Sequence, residues 1–94
     1  MALPLKKSEV ICFYDHQYRW AKRSTNSFTE IRVELNECPQ GQMIIAQCPR
    51  LFRPDMVEEV IEKGREMGWT PEETKDPMNV RLTKHGLTLI SGNI

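Results

Sequence analysis

The sequence predicts an α+β domain: a four-stranded antiparallel meander with one amphipathic helix packed on one face, followed by a C-terminal strand or hairpin. Three observations carry this prediction. Apolar and polar residues alternate through much of residues 9–48, apolar residues follow a helical period over 54–67, and 94 residues suffice for a single domain. We expect the core to occupy residues 9–69 and the tail residues 70–94.

The segment ICFYDHQYRW (residues 11–20) is interpreted as a hairpin rather than as one long strand. A two-residue loop at Asp15-His16 would place Tyr14 opposite Gln17 and send the apolar side chains to one face. As a single strand, the segment would mix apolar and polar residues on both faces, so burial favours the hairpin. The apolar face would then hold Ile11, Phe13, Tyr18 and Trp20.

The third and fourth strands follow a short polar linker. Residues 29–35 alternate between apolar and polar side chains, and residues 42–48 supply the partner strand. A four-residue loop over 38–41 would oppose Val33 to Ala46. In this register Met43 and Ile45 point away from the helix.

One helix is predicted from Pro54 to about Met67. Proline suits the first helical position, and Gly68 suits a left-handed position after the last turn. We expect Gly64 to permit close approach of helix to sheet, and Trp20 and Trp69 to be largely buried beside it. The buried stripe would hold Val57, Val60, Ile61 and Gly64.

The remaining segment has fewer apolar residues. Thr70 and Pro71 resemble a helix start, but Pro77 limits this to one turn. Residues 80–90 predict one or two strands, with a hairpin about His85-Gly86 that would oppose Leu82 to Leu89. An alternative to an open outer side of the sheet is that this tail covers it.

Two motifs carry a resemblance to known proteins. They are Tyr18-Arg19-Trp20 in the second strand, and Pro54-x-x-Val57-x-x-x-Ile61 followed by Gly68-Trp69-x-Pro71. Together they resemble small uncharacterised bacterial α+β domains, of the kind also encoded by mobile gene cassettes, in which a β-meander precedes a helix ending in Gly-Trp-x-Pro. The resemblance spans residues 10–75 and implies the fold and a bacterial source but no activity. The chain departs from it at Arg53, where such domains carry Thr.

The amino-acid composition makes some functional classes unlikely, among them dedicated DNA-binding, secreted disulfide-rich and membrane-spanning proteins. Thirteen Lys and Arg balance thirteen Asp and Glu. The chain therefore lacks the strong positive charge of a dedicated DNA-binding protein. Residues 1–53 carry +3 and residues 54–94 carry −3. An odd count of three cysteines, with no signal-peptide pattern at the start, predicts reduced thiols in the cytoplasm. No segment has the length of a membrane span.

No catalytic, cofactor or metal site is predicted. Cys12, Cys38 and Cys48 lack paired zinc-ligand spacing, and His16 and His85 are both assigned to turns. The many carboxylates of residues 58–73 fit the solvated side of an amphipathic helix. No nucleophile and base come together in the predicted pairing, so we expect a non-enzymatic protein without a cofactor.

The predicted function is a protein-interaction module that forms a homodimer through the outer side of the sheet. A sheet with one helix leaves that side open, and an apolar patch with a polar rim is typical of an interface. The possible interface residues are Cys12, Tyr14, Ala21, Met43 and Ile45.

The alternative is a weak single-stranded nucleic-acid-binding domain that uses the same basic side of the sheet. An aromatic residue among arginines is how some sheets present stacking and charge to single strands. The possible contact residues are Tyr14, Arg19, Arg23 and Arg32. No membrane partner is expected.

Overall fold

The computed structural model describes residues 8–38 and 40–90, which form six strands and one helix. All six strands lie in one sheet, in the order in which they occur along the chain. The elements are β1 (Glu9–Phe13), β2 (His16–Ser24), β3 (Thr29–Leu35), β4 (Ile44–Cys48), α1 (Asp55–Met67), β5 (Met78–Thr83) and β6 (Gly86–Leu89).

The α+β class and the single packed helix are confirmed, but the sheet is larger than predicted and mixed. Strands β1 to β4 are antiparallel neighbours, as expected. Strand β5 then lies parallel to β4, and β6 lies antiparallel to β5. Parallel neighbours need a long crossover connection, and here α1 lies within it. The tail therefore extends the sheet instead of lying across its outer side.

The first hairpin turns one residue earlier than predicted. Its loop is Tyr14-Asp15, with φ of 49° and 66°, and Phe13 pairs with His16. Two positive φ angles are typical of a type I′ turn, whose twist matches that of the flanking strands. The predicted loop at Asp15-His16 is wrong, and His16 is the first residue of β2. The predicted apolar face is nevertheless correct. The observed pairing differs from the predicted one by two residues, and side chains alternate between faces with period two, so the same residues share a face.

The other two hairpins show the same displacement. Val33 pairs with Ile44 instead of Ala46, and Leu82 pairs with Leu87 instead of Leu89. In the last hairpin the two-residue turn at 84–85 is followed by Gly86 at φ 115°, which is the position where a type I turn with a bulge requires glycine. Each predicted pairing was displaced by two residues, and each predicted face is correct.

Helix α1 begins and ends close to the prediction. Pro54 is its N-cap, and Gly68 follows it with φ 107°. The N–H of Gly68 donates to the carbonyl oxygen of Arg65 (3.2 Å), and that of Trp69 donates to Gly64 (2.9 Å). This pair of bonds is a Schellman motif, which satisfies the last carbonyls and reverses the chain. The buried side of the helix holds Met56, Val57, Val60, Ile61 and Gly64.

The core lies between α1 and the side of the sheet that faces it. Trp69 folds back under the helix and is 1% exposed, as predicted. Trp20 is only half-buried and lies against Phe52, with ring centroids 5.8 Å apart. The expectation that both tryptophans are largely buried therefore holds for Trp69 alone. The sheet contributes Tyr18, Ile31, Val33, Leu35, Ile44, Ala46, Cys48, Val80 and Leu82 to this core.

Candidate functional site

The side of the sheet opposite α1, called the outer face, has no described helix or strand packed against it. Its centre is the row in which Ala21 pairs with Arg32, Arg32 with Ile45, and Ile45 with Asn79. The row beside it joins β2, β3, β4, β5 and β6 through Arg23, Glu30, Gln47, Arg81 and Thr88. The face is thus a small apolar centre among polar and charged side chains.

The end of the outer face nearest the first hairpin is buried. Glu34 is 2% exposed although its register places it on the outer face, and Met43, directly before β4, is 7% exposed. Beside them, Arg19 donates from Nε to Asn36 Oδ1 and from Nη1 to Ser8 Oγ, each at 3.1 Å. The area open to a partner is therefore the central row and the row of Arg23.

The structure brings only part of the predicted interface together. Ala21 and Ile45 are half-exposed on the outer face, with Arg32 between them in the pairing. Met43, also predicted for this face, precedes β4 at a point where its carbonyl accepts the N–H of Met78 (2.9 Å), and its side chain is buried. The apolar centre is smaller than predicted.

Two further predicted interface residues lie away from that centre. Tyr14 is in the first turn and 76% exposed, because the turn falls one residue earlier than expected. Cys12 is exposed on β1, at the edge of the sheet. Neither residue adjoins Ile45 in the register.

The predicted nucleic-acid contacts are also spread out. Arg23 lies near one end of β2, and Tyr14 lies in the turn beyond its other end. The Nε of Arg32 donates to Glu30 Oε1 at 3.3 Å, and Arg19 is engaged as described above. Tyr14 therefore offers no stacking platform beside the arginines of the central rows.

A feature that the sequence reasoning missed lies on the helix side, between the end of β2 and the loop before α1. This basic cleft has a volume of about 470 Å³. Three of its lining side chains are cationic and none is acidic. The lining residues are Lys22, Ser24, Thr29, Arg50, Leu51, Phe52 and Arg53.

Local sequence explains the shape of the basic cleft. Residues 49–54 read PRLFRP, in which two prolines bracket two arginines and two apolar residues. The loop is anchored because Thr29, 2% exposed, donates from Oγ1 to the carbonyl oxygen of Arg50 at 3.2 Å. A basic and apolar loop before a helix was the available signal for this cleft.

At the opposite end of α1, Arg65 joins the helix to the sheet. Its Nε and Nη2 donate to the hydroxyl of Tyr18 at 3.2 and 2.9 Å, and it pairs with the carboxylate of Glu72 at 2.8 Å. Its guanidinium also lies 5.6 Å from the ring centroids of Tyr18 and Trp69. The hydrogen bond from Arg65 holds the pKa of Glu72 below its usual value. These contacts fasten the end of the helix.

The cysteines and histidines form no metal-binding cluster in the described part of the chain. Within residues 8–38 and 40–90, no group of three or more His, Cys, Asp or Glu side chains could hold a metal ion. All three cysteines are free. Burial, with a smaller effect from Glu59, raises the pKa of the Cys48 thiol to about 11, which makes it a poor nucleophile near neutral pH.

Comparisons with known proteins add no relative. No family model, no curated protein and no solved structure matches this chain. In the described residues, no helix combines the length and apolar character needed to cross a membrane. The outer face and the basic cleft are therefore the two candidate sites of this chain.

Proposed function

We propose that this protein is a small, non-enzymatic interaction module that forms a homodimer through its outer face. The observation that carries the proposal is the half-exposed Ile45 at the centre of a six-stranded sheet that, within residues 8–38 and 40–90, has a helix packed on one side only. A sheet gains stability by burying its second face against another layer, and a second copy supplies such a layer.

The charges of the outer face support pairing with a second copy. Arg23, Arg32 and Arg81 share the open area with Glu30. In a two-fold dimer the same patch meets itself, so a patch with both signs of charge can place cations against carboxylates. Polar side chains around Ile45 match the rim of a protein interface.

The edges of the sheet favour the face over the edge as the contact. The two edge strands are short, five residues in β1 and four in β6. Short edge strands limit strand-to-strand association between copies.

The three free cysteines fit a reducing compartment. We therefore propose that the protein acts in the cytoplasm, and the resemblance described above suggests a bacterial one.

The test is molar mass by light scattering over a range of concentrations. The wild-type protein should change from monomer to dimer as concentration rises, and Ile45→Asp should remain monomeric because dimerisation would bury two carboxylates, one from each copy, at the centre of the interface, where their desolvation is costly. The matched control is Leu89→Asp, which places the same charge on the helix side of the sheet at a residue that is 56% exposed.

A second variant guards against misfolding at Ile45. Glu30 is the carboxylate among the arginines of the open area and lies outside the core, so Glu30→Gln leaves the core intact and should weaken the dimer, because the patch would then carry only positive charge. A wild-type protein that stays monomeric at the highest concentration would refute the proposal. So would a dimer that Leu89→Asp disrupts and Ile45→Asp does not.

Binding to single-stranded nucleic acid is the second candidate function. The observation that favours it is the cluster of cations on both sides of one end of β2: Arg23 and Arg32 on the outer face, and Lys22, Arg50 and Arg53 in the basic cleft. Retention on an oligonucleotide column should then decrease as salt increases, because each neutralised phosphate releases counterions. Absence of retention at low salt would exclude this candidate.

A further inference from the structure

The basic cleft concentrates positive charge that the rest of the chain balances. Lys22, Arg50 and Arg53 line the same space of about 470 Å³, with no acidic residue among the lining side chains. The chain as a whole has a formal net charge of zero, so this local excess is not a consequence of overall composition. Convergent cations in a concave site attract anions, and they do so more strongly than the same charges on a flat surface.

The donors in the basic cleft have hydrogen-bonding capacity left for a ligand. The Nζ of Lys22 lies 5.6 Å from the centroid of the Phe52 ring, a cation–π contact that uses none of its three N–H bonds. Arg53 donates from Nε to Asp55 Oδ1 at 3.2 Å, and its two terminal nitrogens remain for other acceptors. A phosphate offers the several acceptor oxygens that such donors require.

The cleft also has an apolar wall. Phe52 is half-buried against Trp20, and Leu51 is 87% exposed beside two arginines. A second cavity of about 330 Å³ shares Lys22 and Phe52 with the cleft and extends it toward Trp20, and its lining includes the carboxylate of Glu9. An exposed leucine and an aromatic ring next to cations suit a ligand that combines a phosphate with a flat, weakly polar ring.

We infer that the basic cleft binds a nucleotide phosphate, with the attached base against Leu51 and Phe52. The inference rests on the second candidate function and assigns it a site that is separate from the outer face. The same chemistry occurs in a free mononucleotide and in a single-stranded oligonucleotide, and the experiment distinguishes the two.

The experiment follows indole N–H resonances in heteronuclear NMR during titration with inorganic phosphate, a mononucleotide or a short oligonucleotide. Trp20 lines the adjoining cavity and lies 5.8 Å from the Phe52 ring, so its resonance should shift. The indole of Trp69 donates to the carbonyl oxygen of Gln42 at 3.0 Å within the core, so its resonance should not move.

Charge-removing variants test the site itself. Lys22→Gln with Arg50→Gln should weaken nucleotide binding by about tenfold per residue, the effect of losing a charge-assisted hydrogen bond. The matched control is Lys63→Gln with Lys84→Gln, which removes the same charge at residues outside the cleft. Leu51→Ala should weaken the mononucleotide but not inorganic phosphate.

Each outcome has a defined meaning. A Trp20 shift that saturates and is lost in the cleft variant supports the inference, and the tighter of the two nucleotide ligands identifies its source. Inorganic phosphate that binds as tightly as either nucleotide would refute the role of the apolar wall. An unchanged Trp20 resonance, or equal weakening by the control pair, would refute the site. Oligonucleotide retention that survives the cleft variant but is lost in Arg23→Gln would overturn the inference while the second candidate function stands.

Discussion

At the scale of single residues, Tyr18 shows why a buried position carries a hydroxyl. The side chain is 2% exposed and lies on the core side of β2, where phenylalanine would fill much the same space. Its hydroxyl accepts two hydrogen bonds from Arg65, which continues to Glu72. The hydroxyl therefore links the second strand to the last turn of the helix and to the segment that follows it.

Tyr18→Phe should destabilise the protein by about 1 to 2 kcal/mol, toward the lower end for a hydrogen bond to a charged group, because the partly exposed Arg65 recovers some hydration. Urea unfolding monitored by circular dichroism measures the change. Tyr14→Phe is the matched control: Tyr14 is 76% exposed in a turn, so its loss of a hydroxyl should have almost no effect. Equal effects of the two variants would contradict the role assigned to Tyr18.

The buried thiol of Cys48 should make the stability of the protein depend on pH. Burial, with the nearby carboxylate of Glu59, raises its pKa from 9.0 to about 11. The thiol ionises at a lower pH in the unfolded chain than in the native protein. Between the two pKa values the unfolded state therefore binds fewer protons than the native state. Stability should therefore fall as the pH rises from 9.0 to about 11.

Urea unfolding across this pH range tests the assignment. Cys48→Ala should flatten the decline in stability, whereas Cys12→Ala at an exposed position should leave it unchanged. A decline that persists in Cys48→Ala would show that other groups cause it.

At the scale of secondary-structure elements, Gly64 sets the distance between the helix and the sheet. A Cβ atom at this position would lie 2.7 Å from Cδ1 of Ile44 in β4 and 3.3 Å from Cε3 of Trp69. Glycine costs about 1 kcal/mol relative to alanine in a helix interior. The close packing that glycine permits offsets this cost.

Gly64→Ala should therefore destabilise the protein by about 1 to 3 kcal/mol, the usual cost of overpacking, despite the better helix propensity of alanine. Ile44→Val removes the atom that the new methyl group would meet. In a double-mutant cycle measured by thermal unfolding, the combination should be more stable than the sum of the two single changes predicts. Additive effects would show that contact with Ile44 does not limit helix approach.

The strands show which part of the fold the sequence determines. All three predicted hairpins had the correct buried faces, because apolar alternation with period two fixes which side chains point inward. All three were displaced by two residues in pairing. Registers that differ by two bury the same side chains, so only turn geometry separates them. The choice of Tyr14-Asp15 over Asp15-His16 depends on φ angles that several residue types tolerate.

The parallel pairing of β4 and β5 lay beyond the sequence pattern for a different reason. The inward positions Val80 and Leu82 are the same whether the strand runs parallel or antiparallel.

The same limits apply to the predicted site residues. Tyr14 lies in the first turn and not on the outer face, and Met43 is buried. The basic cleft depends on how the end of β2 meets the loop before α1, and the sequence shows the basic and apolar residues of that loop but not which strand they lie against.

At the scale of the whole molecule, Gln42 ties the connection before β4 to the segment after the helix. Its backbone N–H donates to the carbonyl oxygen of Glu73 at 2.7 Å, and its side-chain Nε2 donates to the backbone carbonyl oxygen of Asp76 at 3.0 Å. Its Oε1 accepts the N–H of Thr70 at 2.9 Å. Beside it, a side chain at Gly41 would overlap the carbonyl oxygen of Pro71. The crossover from α1 to β5 is thereby fixed to the sheet.

This attachment predicts that residues 78–89 unfold together with the rest of the protein rather than as a separate tail. Val80 in β5 is fully buried in the shared core, whereas Leu89 in β6 is 56% exposed. Val80→Ala should lower the free energy of unfolding by about 2 kcal/mol, from lost burial and an added cavity, and Leu89→Ala should lower it much less. Hydrogen exchange gives the decisive measurement. In Val80→Ala, the protection of the backbone amides should fall by the same free energy at residue 80, at Ile31 and at Trp69. If β5 lost protection while Ile31 and Trp69 kept theirs, the last two strands would be a separate folding unit and the crossover would not couple them to the core.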